Sequence, residues 1–143
     1  MRQNIGSCRY VVHLVGIIKE TRTNSFDIVH KETTQALIKA MEDSNVKKIC
    51  YLSILGANKD STNKCFASRA YSEKLLLDSD IPSLILRIPM VLGEDDYASK
   101  ALRKNALSKF NFTFRKKSME QPIYAGDVIQ AINNDINKHV SGK

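Results

Sequence analysis

The chain has no tryptophan and only six glycines, three prolines and three cysteines among its 143 residues. The cysteines are Cys8, Cys50 and Cys65. An odd number without a CxxC pair argues against a disulfide framework and against a zinc site. We therefore predict reduced thiols, a cytosol-like compartment and no bound metal.

Long hydrophobic runs are also lacking. The longest one, Tyr10–Ile18, is interrupted by His13 and is far too short to cross a bilayer. The segment Met1–Arg9 is polar and has no apolar core of the kind that secretory signals need. The prediction is a cytoplasmic protein whose association with any membrane would be peripheral.

Basic residues exceed acidic ones, 22 against 15, which gives a formal net charge of +7. Small basic clusters lie at Lys47-Lys48 and Arg115–Lys117. Such a balance allows a module that binds nucleic acid or an acidic lipid surface, and we keep that as an alternative function. No aromatic-interleaved motif or helix-turn-helix pattern accompanies the charge, so a solvated basic surface is favoured and nucleic acid is not the expected partner.

Hydrophobic residues make up 43% of the chain, which is enough for a core, and the length suits one domain. Three apolar runs predict buried strands: Tyr10–Val15, Ile49–Ile54 and Ser83–Arg87. Between them, helical spacing predicts one helix that follows Ser25-Phe26-Asp27 and stops at Asn45. Its apolar positions are Ile28, Ala36, Leu37, Ala40 and Met41, and a second helix runs through Ala67, Ala70, Leu75 and Leu77. The βαβαβ order indicates an α/β fold with a parallel sheet.

The remainder of the chain is less regular. Its pattern predicts a helix over Tyr97–Leu107 and an extended segment over Phe110–Phe114. Gln121–Tyr124 is expected to be a short edge strand, where proline is tolerated. Asp127 would cap or open a last helix that runs through Ile136.

The order of several short motifs resembles the atypical or extended short-chain dehydrogenases and reductases. The motifs are Val12–Ile17, Phe26-Asp27 before a long helix, Val46–Ser53, Leu86-Arg87, Val91–Gly93, Gln121–Tyr124 and Gly126–Val128. The resemblance spans roughly residues 10–136. It is closest to the NmrA-like branch that includes the dehydrogenase-like accessory subunit of respiratory complex I.

This resemblance implies part of a Rossmann-type doubly wound parallel sheet, from the family's fourth strand onward, with Tyr10–Val15 as that strand. The family's glycine-rich phosphate loop lies in an N-terminal β-α-β half, and no G-x-x-G-x-x-G occurs here. We therefore expect a fragment, a split-gene product or a protomer that pairs with another chain. Residues 1–143 would form one partial domain, with the Rossmann part at 10–93 and a small substrate-side region at 94–138.

Active members of the family use a serine, a tyrosine and a lysine. The resemblance places Ser53 at the serine position, Cys65 at the tyrosine position and Arg69 at the lysine position. A cysteine is a poor replacement for the tyrosine acid, and an arginine can still bind a ribose hydroxyl or a phosphate. A register shifted by one would offer Phe66, and Tyr71 has no lysine four residues later.

The resemblance also implies NAD(P) as cofactor. The residues expected to line its site are His13, Leu14, Val15, Gly16, Ser53, Arg69 and Pro89. Ile88 separates Arg87 from Pro89, whereas the family has proline directly after this arginine, so the backbone beside the nicotinamide is expected to differ.

Each of these residues also has a structural interpretation. His13 lies within an apolar strand, Cys65 can be a small apolar filler, and Ser53 can simply end its strand. Arg69 can be a solvated helix residue. Arg87 is expected to anchor a carboxylate of a loop, and His30 to pack or to form hydrogen bonds.

The sequence thus predicts an NAD(P)-binding short-chain-dehydrogenase-like protein that has lost catalysis and accompanies complex I, peripheral to the inner membrane. The alternative is an active NAD(P)-dependent oxidoreductase or epimerase that acts on a small-molecule or sugar-nucleotide substrate, in which Tyr71 or Cys65 is the acid. Expected partners are complex I subunits, an N-terminal half chain, or a second copy joined through the edge of the first strand.

Overall fold

The structure is a computed structural model that describes residues 5–109 and 121–140. Its elements follow in the order β1 (Tyr10–His13), a π-helical segment (Asp27–Glu32), α1 (Thr33–Met41), β2 (Lys48–Ile54), α2 (Lys64–Leu77), β3 (Ser83–Ile88), β4 (Val91–Leu92), α3 (Tyr97–Leu107), β5 (Ile123–Tyr124) and α4 (Ala125–Val140). Contacts divide the chain into two compact units, Met1–Ile88 with Ile136–Lys143, and Pro89–Asp135. The expected boundary after Gly93 stays a prediction.

The first unit is built on a parallel sheet with the order β1-β2-β3. The register sets His13 opposite Tyr51 and Ser53 opposite Arg87. This confirms the predicted parallel α/β fold, because parallel neighbours need the helical crossovers that the sequence supplies.

The strands are less uniformly buried than the sequence indicates. In β2, Ile49, Cys50 and Tyr51 are fully buried in succession, as expected for a central parallel strand. β1 ends at His13, so the predicted continuation through Leu14 and Val15 is wrong, and both of these side chains are exposed. The reason is position, since β1 and β3 are the outer strands of the sheet that the described residues form.

The first long helix starts where predicted but begins with a π-helical turn, Asp27–Glu32, before α1. Leu37, Ala40 and Met41 are buried and join Val46, Ile49 and Leu76 in the core. Ile28 and Ala36, which share the apolar spacing, are exposed, so that spacing overstates the buried face. Ile28 lies within the π turn itself, so it does not continue the face of α1 that is buried.

α2 buries a mainly polar face. Asn63 caps it by accepting a hydrogen bond from the Cys65 amide at 2.9 Å. Its buried residues recur at helical spacing: Cys65, Ser68, Arg69, Ser72, Glu73 and Leu76. The apolar Leu77 faces outward and is 65% exposed. This helix therefore meets the rest of the unit through hydrogen bonds and not through an apolar stripe.

In the second unit, β4 pairs in parallel with β5, and Asp96 caps α3 by accepting a hydrogen bond from the Ser99 amide. α3 has the predicted bounds. The strand at the end of this unit is limited to Ile123–Tyr124, and Asp127 lies in the first turn of α4 and does not cap it. The extended segment predicted over Phe110–Phe114 lies outside the described residues.

Across residues 5–109 and 121–140, no helix combines the length and apolar character that crossing a membrane requires.

Candidate functional site at the carboxyl ends of the strands

In a parallel sheet, ligands bind beyond the carboxyl ends of the strands. His13 is the last residue of β1, and Ser53 lies one residue before the end of β2. Both are buried. The side chains that surround these two ends come from the π-helical segment, α1 and α2, which pack next to the sheet.

The Arg69 guanidinium joins the ends of β1 and β2. Its Nη1 donates to the carbonyl oxygen of Val15 at 3.3 Å, to that of Leu52 at 3.1 Å and to the Tyr51 hydroxyl at 3.0 Å. The guanidinium also lies 5.6 Å from the centre of the Tyr51 ring. Arg69 is 8% exposed, so the prediction of a solvated helix arginine is wrong: it fastens two strands to α2.

Gly16 lies against this guanidinium. A Cβ at position 16 would stand 1.6 Å from Arg69 Nη2, far inside any permitted contact. The backbone after β1 can therefore pass this close to α2 only if residue 16 has no side chain.

His30 holds the same segment from the other side. It is fully buried in the π-helical turn. Its Nε2 accepts from the Ile17 amide at 3.0 Å, so Nδ1 carries the proton and donates to Ser68 Oγ at 2.8 Å. Ser68 donates in turn to the Cys65 carbonyl at 3.0 Å.

The carbonyl of His30 is also occupied. It accepts from Thr34 Oγ1 at 2.7 Å and from Ser72 Oγ at 2.9 Å. The Thr33 amide, at the end of the π-helical segment, donates to the same carbonyl oxygen, so the two hydroxyls add to a backbone hydrogen bond. Of the two roles expected for His30, packing and hydrogen bonding, the structure therefore shows hydrogen bonding.

His13 completes the buried network. Its Nε2 lies 3.4 Å from Thr34 Oγ1, whose own proton goes to His30, so the imidazole is the donor. The ring packs on Tyr51 with centroids 5.2 Å apart. Burial, followed by the charge of Arg69, lowers the pKa of both His13 and His30 to about 4. Both rings are therefore neutral at pH 7.

Cys65, which the resemblance predicts at the family's tyrosine position, has its thiol turned to the protein backbone. Its thiol is directed at the Ile17 carbonyl, 3.8 Å away, and burial raises the pKa of the thiol. A general acid or base works best with a pKa near the working pH. Tyr71, the other candidate acid, is 41% exposed and packs under the Lys31 ammonium at 5.1 Å, on the outer face of α2.

Ser53 differs from its neighbours because its hydroxyl is buried and has no hydrogen-bond partner among residues that the structure describes. The other residues predicted for the cofactor site divide into two groups. His13, Val15, Gly16 and Arg69 come together at the ends of β1 and β2. The Leu14 side chain is exposed, and Pro89 belongs to the second unit.

Arg87 binds a carboxylate, but not one in a loop. Its Nη2 and Nε reach Glu73 at 2.6 Å and 3.0 Å, so its partner lies on α2. Glu73 is 5% exposed and would be costly to bury without this cation. The pair fastens β3 to the polar face of α2.

Four members of this network were not predicted from the sequence: Thr34, Tyr51, Ser68 and Ser72. A signal was present on α2, because its buried polar residues repeat at helical spacing from Ser68 to Glu73. The prediction of this helix relied instead on its alanines and leucines, Ala67, Ala70, Leu75 and Leu77.

Comparison with known proteins places this geometry in context. No protein-family model matches the chain. It is 25% identical over 138 residues to mouse "NADH dehydrogenase [ubiquinone] 1 alpha subcomplex subunit 9, mitochondrial", which covers 94% of this chain and 36% of that protein. The rat protein of the same name matches to the same extent.

Among solved structures, UDP-glucuronic acid 4-epimerase from Bacillus cereus, in complex with UDP-glucuronic acid and NAD, aligns with a TM-score of 0.74 at 17% identity. That alignment covers 94% of this chain and 51% of the epimerase. A short-chain dehydrogenase/reductase superfamily protein from Agrobacterium tumefaciens with bound NAD aligns at 0.54 and 16%, over 69% of this chain and 38% of that one.

The chain therefore spans about a third of its curated relatives and about half or less of these solved structures. Both comparisons agree with the family indicated by the sequence motifs. The chain has part of the Rossmann-type fold of the short-chain dehydrogenases and reductases, and it resembles in sequence the alpha subcomplex subunit 9 of mitochondrial NADH dehydrogenase.

Proposed function

We propose that this chain forms the nicotinamide side of an NAD(P)-binding short-chain-dehydrogenase-like protein that does not transfer hydride. Its role is structural or regulatory, in association with respiratory complex I. The inference that the protein is not catalytic rests mainly on the hydrogen bonds of Arg69. The residue at the family's lysine position spends its Nη1 donor on Val15, Tyr51 and Leu52.

Cys65, at the position of the family's tyrosine, also argues against catalysis. A tyrosine acid needs a neighbouring cation that lowers its pKa. Here Cys65 takes the tyrosine position, and burial raises the pKa of its thiol despite the charge of Arg69. A thiol with a raised pKa, whose proton is directed at the Ile17 carbonyl, is a poor proton donor to a substrate.

The residues fit the cofactor in part. Ser53 offers a buried hydroxyl without a partner among the described residues, at the edge where the family binds the nicotinamide ribose, and Gly16 lets the backbone pass close by. When bound, NAD(P) supplies hydride chemistry. The glycine-rich loop that would hold its pyrophosphate is not in this sequence, so that contact must come from residues other than these.

The association with complex I is supported by the sequence match to a mitochondrial NADH dehydrogenase subunit over 94% of the chain. A segment from an N-terminal half chain, or from a second copy, could pair with β1, since β1 is an outer strand of the described sheet. Such an assembly would place the protein peripherally at the membrane that holds the complex.

Calorimetric titration of the purified chain with NADH and NADPH tests the cofactor assignment. We expect weak, saturable binding, with a Kd on the order of 1 mM because the pyrophosphate contacts are missing. Ser53→Ala should weaken it several-fold, whereas Ser7→Ala, which changes an exposed serine, should not. Absence of any saturable heat would refute cofactor binding by these residues.

An active oxidoreductase or epimerase is the second candidate, favoured by the epimerase among the structural relatives. Incubation with reduced and oxidised cofactor and a panel of sugar nucleotides and small carbonyl compounds distinguishes the two. Our proposal predicts no change in absorbance at the nicotinamide band. Turnover that disappears in Cys65→Ala or Tyr71→Phe would establish the enzyme instead.

A further inference from the structure

Arg69 is a buried cation without a counter-charge in the described part of the chain. Its three acceptors are neutral oxygens, and no carboxylate there lies within ion-pair distance. Glu73, one turn further along the same face of α2, is already paired with Arg87. A buried charge that is not paired is expensive to maintain, because burial removes its hydration.

The groups around Arg69 do not relieve this charge. His13 and His30 are neutral at pH 7, and both have hydrogen-bond partners of their own. Tyr51 offers only a ring face and a hydroxyl oxygen. The site therefore keeps a net positive charge in a medium of low dielectric constant, where an anion would be held strongly.

Two buried polar atoms near the ends of β1 and β2 have no hydrogen-bond partner in the part of the chain that the structure describes. Arg69 Nε and Ser53 Oγ are both buried and have no hydrogen-bond partner among the described residues. Nη2 lies directly against the Gly16 backbone, where an added Cβ would stand 1.6 Å from it. Ser53 follows Leu52 directly, and the Leu52 carbonyl is held by Arg69, so the hydroxyl and the guanidinium belong to one strand end.

We propose that Arg69 and Ser53 form a binding site for an oxyanion, a phosphate or a carboxylate group, at the carboxyl ends of β1 and β2. An oxyanion would accept hydrogen bonds from the Arg69 guanidinium and the Ser53 hydroxyl and would neutralise the buried charge. The Gly16 backbone packs directly on Nη2, so an oxyanion reaches the guanidinium only when this segment is displaced. The site does not depend on nicotinamide binding.

The test is thermal unfolding of the whole chain at pH 7.5 in sodium phosphate or sodium acetate, with sodium chloride holding ionic strength constant. A ligand that binds only the folded state raises Tm in a saturable way. We expect saturation with at least one of the two anions. Phosphate alone identifies a phosphoryl ligand, and acetate at comparable concentration identifies a carboxylate ligand.

Variants separate this site from general ion effects. Ser53→Ala should reduce the apparent affinity for the anion by roughly fivefold or more, since it removes one hydrogen bond to a charged group, and Ser7→Ala should leave it unchanged. The Nε–H signal of Arg69 in a heteronuclear NMR spectrum should shift along the same saturation curve, which does not require a stability change. A Tm response that is identical in both variants, or that never saturates, would overturn the proposal.

Reduced nicotinamide riboside, which carries no phosphate or carboxylate, keeps this result apart from the proposed function. Its binding together with no anion effect would leave the cofactor assignment standing and refute the anion site. Saturable anion binding without affinity for the riboside would support the anion site and refute the cofactor assignment.

Discussion

Lowering the pH from 7 to 5 is expected to reduce the free energy of unfolding by about 4 kcal/mol, roughly 2 kcal/mol for each of His13 and His30. Both rings are buried as neutral groups, and burial together with Arg69 lowers the pKa of each from 6.5 to about 4. In the unfolded chain they titrate at their ordinary pKa. Between these values the unfolded state binds more protons than the folded state.

The sign follows from that difference. The stabilising contribution is complete above pH 6.5 and is lost as the pH falls towards 4, because protonation of the unfolded chain then pulls the equilibrium away from the folded state. Protonation of His30 Nε2 would also remove the acceptor for the Ile17 amide, so the segment after β1 should loosen first.

Urea unfolding at pH 7, 6 and 5 measures this dependence. His30→Gln retains an amide oxygen as an acceptor for the Ile17 amide and does not titrate. It should remove close to half of the pH dependence even if it lowers stability at pH 7. A wild-type unfolding free energy that is flat over this range would show that the imidazoles are not buried as neutral groups.

Gly16→Ala is expected to cost about 2–3 kcal/mol. The new Cβ would stand 1.6 Å from Arg69 Nη2. The tip of an arginine usually moves aside at little cost, but this guanidinium is held by Val15, Tyr51 and Leu52. Moving it breaks hydrogen bonds to buried carbonyls, and moving the backbone loses the Ile17 contact with His30.

A double-mutant cycle with Arg69→Ala isolates this cause. Without the guanidinium, the added methyl group has room, so Gly16→Ala should cost less than about 0.5 kcal/mol in that background. If alanine at position 16 is equally costly with and without Arg69, the glycine serves the backbone conformation and not the approach to Arg69.

The sequence predicts the scaffold well, for a simple physical reason. β2 and β3 are apolar runs flanked by helical spacing, and both the parallel pairing and the positions of the intervening helices follow from those periods. The error in β1 has an equally local cause. Leu14 and Val15 have strand-forming side chains, yet they lie beyond the strand end, where the chain turns to pass under Arg69.

The site was predictable only in its outline. Family resemblance places Ser53, Cys65 and Arg69 near one another, and the structure puts Cys65 and Arg69 on the same buried face of α2. What Arg69 binds depends on the backbone carbonyls of residues 15 and 52, and carbonyl positions leave no mark on side-chain patterns. The same holds for His30, whose partners include an amide and three hydroxyls brought together by the π-helical turn.

We propose that Arg69 fastens β1 and β2 to α2 and is not a surrogate for the family's catalytic lysine. The unfolding free energy of Arg69→Lys tests it most directly. Lysine keeps the charge and the family's own residue type, but its single ammonium group cannot reproduce the planar guanidinium bonds and ring contact with Tyr51. We predict a loss of about 2 kcal/mol or more; an unchanged unfolding free energy would contradict the account.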